Sequence, residues 1–235
     1  MPNPRIHLLA LVVLLGAPAT SVQSQGAPAQ KPPPPAPPPS KALLQPDKTE
    51  LAAKSPATYT IEFVTSRGPF KVEVHRGWSP NGADRLYYLV RNGFFDGARF
   101  FRALPGFIVQ FGINADPKVT SAWKDMRIPD DSVATSNTRY RVTFAMAGPN
   151  TRTTQLFINL ADNARLDKMG FSPIGTVITG TAVVDQFYGG YGEGTPNGAG
   201  PDQEKIMSQG NVYLAHDFPK LDYIVSAKIV KNLEK

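Results

Sequence analysis

From about residue 60 onward, the chain alternates apolar and polar residues over short segments. TIEFVTS (60–66) and PFKVEVHR (69–76) alternate with period two around the turn SRGP, a pattern that predicts a β-hairpin. Further strand-like runs follow, separated by turns rich in Gly, Pro, Asn and Asp: ARFFRAL, GFIVQF, RVTFAMA, TQLFINL, SPIGTVITG and LDYIVSAKIVKNL. Many short strands with few helices between them predict a mainly β fold, an antiparallel barrel or sandwich.

Helical periodicity is limited to a few segments. In SPNGADRLYYLVRNG, Ser79 is the predicted N-cap, Pro80 takes the first helical position and Gly93 ends the helix. The apolar face of this helix consists of Ala83, Leu86, Tyr87 and Val90. A second short helix is predicted at TAVVDQFYG, and a third at DQEKIMSQ, closed by Gly210.

The N-terminal residues 1–24 have the layout of a secretory signal peptide. Arg5 precedes the apolar run LLALVVLLGA (8–17), and small residues suited to cleavage follow in APA and VQS. A retained membrane anchor is the less favoured alternative, because this run is too short to span a bilayer comfortably. We therefore expect an exported protein, periplasmic or secreted, with no stable membrane insertion after signal cleavage.

Proline dominates the next segment, residues 25–57. Proline is dense enough in GAPAQKPPPPAPPPSKALLQPDK to forbid helix and sheet and to favour an extended polyproline conformation. A disordered, semi-rigid linker is favoured over a ligand for a proline-recognising module. The folded domain is accordingly predicted to cover residues 58–235.

Composition excludes several kinds of chemistry. The 235 residues include no cysteine, which removes thiol nucleophiles, zinc thiolate sites and disulfides. The net charge of +6 is spread along the chain without a basic run, so no nucleic-acid partner is predicted. His75 and His216 lack metal-ligand spacing, and we predict neither a metal nor any other cofactor.

Two further motifs are interpreted as structural. The glycines of GGYGEGTPNGAGP follow a predicted helix instead of joining a strand to a helix, which argues against a phosphate loop. Asp130 and Asp131 form a possible carboxylate pair, but adjacent aspartates in IPDDS are interpreted as solvated turn formers.

An arginine and two glutamines stand out because they lie on apolar strands. Alternation puts Gln155 and Phe157 on one face of a strand, and Arg102, Gln110 and Phe107 occupy a similar Pro-Gly-containing stretch. If the two stretches lie side by side, these residues line one groove with donors and an apolar floor but no nucleophile. Such a groove suits rotation about a prolyl bond, because a guanidinium keeps its protons and can donate to the imide nitrogen in the twisted state.

The same residues resemble a known family. FFRALPGFIVQFG and FAMAGPNTRTTQLFIN resemble the two signature segments of the cyclophilin peptidyl-prolyl isomerases, and LDKMGFSPIGTV resembles the segment that follows them. The similarity runs from residue 60 to 179 and resumes at the last strand. It implies an eight-stranded antiparallel β-barrel capped by two α-helices. It also implies isomerase activity on proline-containing polypeptides, here in an exported, bacterial-like member.

The resemblance also implies roles for individual residues. Arg102 matches the catalytic arginine, and Gln110 and Gln155 match the glutamines that position the arginine and the substrate. The residues that match the proline pocket and the backbone stretch that binds substrate are Phe107, Ile108, Ala145, Met146, Phe157, Leu166 and Phe171.

Several positions depart from the best-known members. Phe101 and Phe171 replace histidines, Met146 replaces an asparagine, and Arg165 lies near a tryptophan important for cyclosporin binding, which leaves cyclosporin binding doubtful. These changes motivate a second hypothesis, a catalytically weak proline-binding or chaperone module. The long connection 189–220 is interpreted as packing on the barrel, in preference to a partner-binding insert, through Tyr213, Leu214 and Phe218. We expect a monomer.

Overall fold

The alternating segments of the sequence form eight β-strands. The computed structural model describes residues 38–230. The strands are β1 (Thr58–Thr65), β2 (Gly68–His75), β3 (Arg102–Leu104), β4 (Ile108–Phe111), β5 (Arg141–Phe144), β6 (Leu156–Asn159), β7 (Pro173–Thr179) and β8 (Ile224–Val230). They form one antiparallel sheet in the order β3-β4-β6-β5-β7-β2-β1-β8. The prediction of a mainly β, eight-stranded antiparallel fold is confirmed.

The two edges of this sheet approach each other. Arg99, just before β3, forms an isolated antiparallel bridge with Tyr223, just before β8. Beside this bridge the Phe100 amide donates to the carbonyl of Asp222 at 3.0 Å. The sheet therefore curls, and its inner face encloses the core.

The hairpin of β1 and β2 shows why alternation predicts the fold so well. Tyr59, Ile61 and Phe63 point inward from β1, and the rings of Phe63 and Phe70 stack at 4.9 Å across the pair. Each of these large side chains contributes roughly 1.5–3 kcal/mol when fully buried. A shift of one residue in register would expose the whole set, which fixes the pairing.

The described residues contain seven α-helices and one 3-10 helix, more than the two capping helices that the resemblance implied. They are α1 (Lys41–Leu44), α2 (Lys48–Leu51), α3 (Pro80–Arg91), α4 (Pro117–Trp123), the 3-10 helix Ala164–Met169, α5 (Thr181–Val184), α6 (Gln203–Gln209) and α7 (Asn211–Asp217). Only α3 exceeds about two turns. It begins at Pro80 as predicted and buries Ala83, Leu86 and Val90.

The three predicted helices are all present, whereas four further α-helices, α1, α2, α4 and α7, and the 3-10 helix were not predicted. TAVVDQFYG yields only the four residues of α5, and DQEKIMSQ forms α6, followed by Gly210. The sequence analysis did not predict α4, which Asp116 caps by accepting from the Lys118 amide at 2.8 Å. It interpreted the residues of α7 as part of a connection packed on the barrel and predicted no helix there.

Part of the expected linker packs against the folded domain. The predicted signal peptide (1–24) and the proline-rich residues up to 37 lie outside the described residues, whereas residues 38–57 contain α1 and α2. Leu43 on α1 is buried, and its carbonyl accepts from the Trp123 indole at 2.8 Å. The Tyr88 hydroxyl donates to the carbonyl of Ala42 at 3.1 Å. Ordered packing therefore begins well before Thr58.

Within residues 38–230, every helix is too short or too polar to cross a membrane.

Candidate functional site

Three neighbouring strands bring the predicted arginine and both glutamines together. Arg102 on β3 faces Gln110 on β4, and Gln110 faces Phe157 on β6. The Arg102 Nη1 donates to Gln110 Oε1 at 3.1 Å, and the Gln110 Nε2 donates to Gln155 Oε1 at 2.8 Å. Because the Gln110 amide is bonded through both its oxygen and its nitrogen, the chain of hydrogen bonds fixes its orientation, with the oxygen toward the arginine.

A carboxylate completes the surroundings of Arg102. The Nε and Nη2 of Arg102 donate to Oε1 and Oε2 of Glu193 at 2.6 and 2.7 Å, a bidentate ion pair. The Arg102 side chain is only 5% exposed and that of Glu193 only 19%. A buried guanidinium needs such a partner, because burying an unpaired charge costs several kcal/mol.

The predicted pocket residues form one apolar cluster beside the arginine. Phe157 and Phe171 meet edge to face, with ring centroids 5.7 Å apart. The guanidinium carbon of Arg102 lies 5.7 Å from the centroid of the Phe107 ring. The buried members are Ile108, Phe157, Leu166 and Phe171, with Phe107, Ala145 and Met146 packed against them. The structure thus brings together all seven residues that the sequence assigned to substrate binding.

Asparagine side chains hold the walls of this cluster. Asn163 donates to the carbonyl of Phe107 at 2.9 Å and to Asn159 Oδ1 at 2.8 Å. Asn137 donates to the carbonyl of Phe171 at 2.8 Å. These bonds satisfy backbone oxygens next to the apolar rings and fix the loops that carry them.

Asp167 fastens the 3-10 helix that carries Leu166. It accepts hydrogen bonds from the Ser136 hydroxyl and from the backbone and side-chain amides of Asn137. Burial alone raises the pKa of Asp167, but these hydrogen bonds outweigh it and hold the pKa below its usual range. Asp167 is therefore ionised at neutral pH, and its charge supports one side of the pocket.

The backbone at Ala145 and Met146 lies next to the glutamines. The Ala145 amide donates to the carbonyl of Gln155 at 2.9 Å. Among the described residues, no hydrogen bond involves the backbone N–H or C=O of Met146. Both groups therefore remain available to an extended peptide. They border a cleft of about 450 Å³, whose lining also includes Arg102, Gln110 and Gln155.

Asp130 and Asp131 serve the fold instead of the cleft. Asp131 accepts from the Ser79 hydroxyl at 2.5 Å and from the Gly82 amide at 3.0 Å, at the first turn of α3. It also pairs with Arg152 at 3.0 Å, and its side chain is 3% exposed. The interpretation of Asp131 as a solvated turn former was wrong, because Arg152 and the N-terminus of α3 compensate its burial.

The family of the chain follows from comparison with known proteins. Residues 60–208 match the family model described as cyclophilin type peptidyl-prolyl cis-trans isomerase/CLD. The chain belongs to this family of enzymes.

Curated relatives of this cyclophilin come from distant organisms. A peptidyl-prolyl cis-trans isomerase of Acinetobacter baylyi is 32% identical over 147 residues, which cover 58% of this chain and 75% of that protein. One from Arabidopsis thaliana is 33% identical over 134 residues, covering 54% and 80%. The crystal structure of a Cryptosporidium parvum cyclophilin superposes with a TM-score of 0.54 at 19% identity, over 74% of this chain and 99% of the other. That similarity supports the fold.

In this cyclophilin, the replaced positions have identifiable surroundings. Phe101 does not face the groove cluster. It is buried with Ile113, with Leu221, and with three residues of the long connection: Ile206, Tyr213 and Leu214. Arg165 stacks on the Phe107 ring, with its guanidinium carbon 4.7 Å from the ring centroid.

Sequence reasoning missed Glu193. The residue lies in GGYGEGTPNGAGP, which was interpreted as glycine-rich chain that is not a phosphate loop and as part of the connection 189–220. One signal was available: a buried arginine among apolar residues requires a counter-charge. Nothing local pointed to a carboxylate 91 residues along the chain.

Proposed function

We propose that this cyclophilin accelerates rotation about X-Pro bonds in exported polypeptides, and that Arg102 donates a hydrogen bond to the prolyl nitrogen in the twisted state. One observation carries the proposal: the guanidinium of Arg102 is held between Gln110 and Glu193, beside an apolar cluster. The site offers a fixed donor, an apolar pocket and a free stretch of backbone.

The barrier to rotation comes from amide resonance. It amounts to about 18–20 kcal/mol, because the nitrogen lone pair is shared with the carbonyl in both planar forms. In the twisted state that pair becomes localised on nitrogen and accepts a hydrogen bond that neither planar form accepts. A donor at this place therefore stabilises the transition state selectively.

Arg102 is suited to this task. An arginine has five N–H donors and cannot lose its proton in a protein. Among the described residues, Glu193 takes one hydrogen each from Nε and Nη2, and Gln110 takes one from Nη1. One N–H on each Nη remains for substrate. No acid, base or metal is required, because no bond to hydrogen breaks.

The remaining residues supply substrate binding. The proline ring would occupy the cluster of Ile108, Phe157, Leu166 and Phe171, where exclusion of water strengthens the hydrogen bond from Arg102. The free N–H and C=O of Met146 would pair with the substrate backbone in extended form. Since these are backbone groups, methionine in place of asparagine leaves that role intact.

The test is exchange spectroscopy on an Ala-Pro-containing peptide. The wild-type protein should accelerate exchange between cis and trans resonances, and Arg102→Ala should raise the barrier by about 3–4 kcal/mol, a rate loss of roughly a hundredfold or more. Arg139→Ala is the control, since Arg139 is half exposed and its side chain, within residues 38–230, pairs with Asp185 and contacts the Tyr140 ring. Peptide binding without acceleration by the wild type would replace this proposal with the binding-module hypothesis.

Export is supported by residues outside the described part of the chain. The basic start, the apolar run 8–17 and the small residues after it favour translocation and cleavage. Intact mass measurement on protein recovered from an exporting host should show loss of about the first 24 residues. Retention of the full N-terminus in the cytoplasm would contradict export. We also propose that the exported protein acts as a monomer, which the same mass measurement under native conditions tests.

A further inference from the structure

We infer that Glu193 is a positioning residue that fixes the plane of the Arg102 guanidinium during prolyl rotation. The inference rests on the proposed role of Arg102. Gln110 binds a single nitrogen of the guanidinium, so by itself it leaves the group free to turn about that contact. The two contacts from Glu193, at 2.6 and 2.7 Å, define a plane.

The segment around Glu193 is folded tightly upon itself. The Gly200 amide donates to the carbonyl of Glu193 at 2.8 Å, and Gly194 and Gly200 form an isolated bridge. The Gly194 amide donates to Glu193 Oε1 at 3.0 Å. That carboxylate oxygen therefore has two donors, one from its own loop and one from Arg102, so its position is determined from both sides.

Glycines are required at two positions of this segment. A Cβ at residue 198 would lie 2.4 Å from the carbonyl oxygen of Glu193, and one at residue 200 would lie 2.8 Å from it. Both distances are shorter than a carbon-oxygen contact permits, and the obstructing atom is backbone. The glycines of this loop thus serve close packing around Glu193.

The segment is anchored next to Arg102 in the chain. Phe101 packs with Ile206, Tyr213 and Leu214 of the long connection, and Tyr191 meets Phe218 edge to face at 4.9 Å. Phe101 and Arg102, which are adjacent in the chain, therefore both contact the long connection. Phe101 does so through its ring, and Arg102 through its ion pair with Glu193. Phe101, which replaces a histidine, thus helps to hold the connection that carries Glu193 against the barrel.

Glu193 leaves Arg102 competent to donate. The carboxylate binds the guanidinium edge formed by Nε and Nη2, and one hydrogen on each Nη stays unassigned among the described residues. Glu193 therefore balances the buried charge without taking these two hydrogens.

The experiment compares Glu193→Ala and Glu193→Gln with wild type, using the full chain and a proline peptide. Loss of orientation at Arg102 should lower kcat about tenfold in Glu193→Ala while peptide affinity changes less than about twofold. Glutamine keeps one acceptor in place and should restore kcat to within about threefold of wild type. Glu62→Ala is the matched control, since Glu62 is a partly exposed glutamate paired with Lys71 on the β1–β2 hairpin.

A second readout follows the arginine itself. In ¹⁵N spectra the Arg102 Nε–H should exchange slowly with solvent in wild type and rapidly in Glu193→Ala. If Glu193 had only a structural role, Glu193→Ala would lower the unfolding temperature. It would then leave the Nε–H exchange rate unchanged and would not lower kcat more than peptide affinity.

Three results would overturn the inference. Faster catalysis by Glu193→Ala would mean that the carboxylate inhibits Arg102. An unchanged kcat would mean that the ion pair does not contribute to turnover. An unchanged Nε–H signal would mean that other groups hold Arg102 in place. These results differ from failure of the proposed function, in which wild type itself gives no acceleration. In that case the positioning role falls with it.

Discussion

Arg102 has two partners that come from very different parts of the molecule. Gln110 lies eight residues away on the neighbouring strand, and the β3–β4 ladder sets its distance. Glu193 lies 91 residues away in a glycine-rich loop between α5 and α6. The position of Gln110, the neutral partner, is therefore set by strand pairing, whereas the position of Glu193, the charged partner, is set by the fold of a separate loop.

This difference suggests that stability and catalytic tuning are separable here. The strand side of the groove is built from buried residues that also belong to the fold, such as Phe157 and Ile108. The loop side is held by its own backbone hydrogen bonds and by the small cluster around Phe101. Changes on the strand side should affect unfolding most, and changes on the loop side should affect turnover most.

The largest effect is expected for Phe157→Ala on the strand side. Removal of a ring that is 3% exposed should lower the free energy of unfolding by about 3–5 kcal/mol, since a cavity remains among Ile108, Leu166 and Phe171. Urea unfolding measures this loss.

The matched variant on the loop side is Phe218→Ala. Its ring is only partly buried, against Tyr191 and Tyr213, so its loss should be less than half as large. Equal losses for the two variants would show that the strand side and the loop side of the groove unfold as one unit and are not separable.

A smaller effect, on activity instead of stability, is expected for Gly198→Ala. The new methyl group collides with the Glu193 carbonyl, so the carboxylate shifts and kcat should fall by roughly threefold to tenfold. The free energy of unfolding should change by about 1 kcal/mol or less, because the loop is separate from the main core. Gly77→Ala provides the control, since nothing lies within 4 Å of a Cβ there. Wild-type kcat in Gly198→Ala would contradict the link from loop to arginine.

The smallest effect concerns Asp167, on the strand side, and depends on pH. Its pKa is lowered in the folded protein, so its contribution to stability is complete above the pKa of an unfolded aspartate and is lost as the pH falls through the lowered folded value. Asp167→Asn should therefore be less stable than wild type near neutral pH, and the gap should close in acid. Urea midpoints from pH 7 to pH 3 measure it. A gap that stays constant over this range would mean that the charge is not involved.

Much of the fold follows from the sequence because its signals are local. Alternation places β1 and β2 to within a few residues, and Pro80 marks the start of α3. The short helix α4 carries similar signals, since Pro117 follows the cap Asp116 and Val119 and Trp123 lie on one face, but its 7 residues are too few to show a clear helical period. The packing of α1 depends on Trp123, 80 residues away, and this partner cannot be inferred from the segment itself.

The candidate site divides in the same way. Most pocket residues could be assigned because they lie in two contiguous motifs whose strands pair directly, β4 with β6, and Leu166 and Phe171 lie in the segment that follows these motifs. Glu193 and the asparagines at 137 and 163 act through tertiary contacts with Arg102, Phe171 and Phe107. Their types are ordinary for loops, so only the folded chain distinguishes them from solvated residues.

The docking of α1 has a mechanical consequence. A pull on the chain at residue 38 first loads the contacts of Leu43 and Ala42 with Trp123 and Tyr88, and next the hydrogen bonds from Ser55 to Asp84. Only after these have separated does tension reach β1, whose ladder with β2 and β8 lies further along the chain. The contacts of α1 therefore protect the sheet from a force applied at the N-terminal side, and the groove keeps its shape until those contacts break.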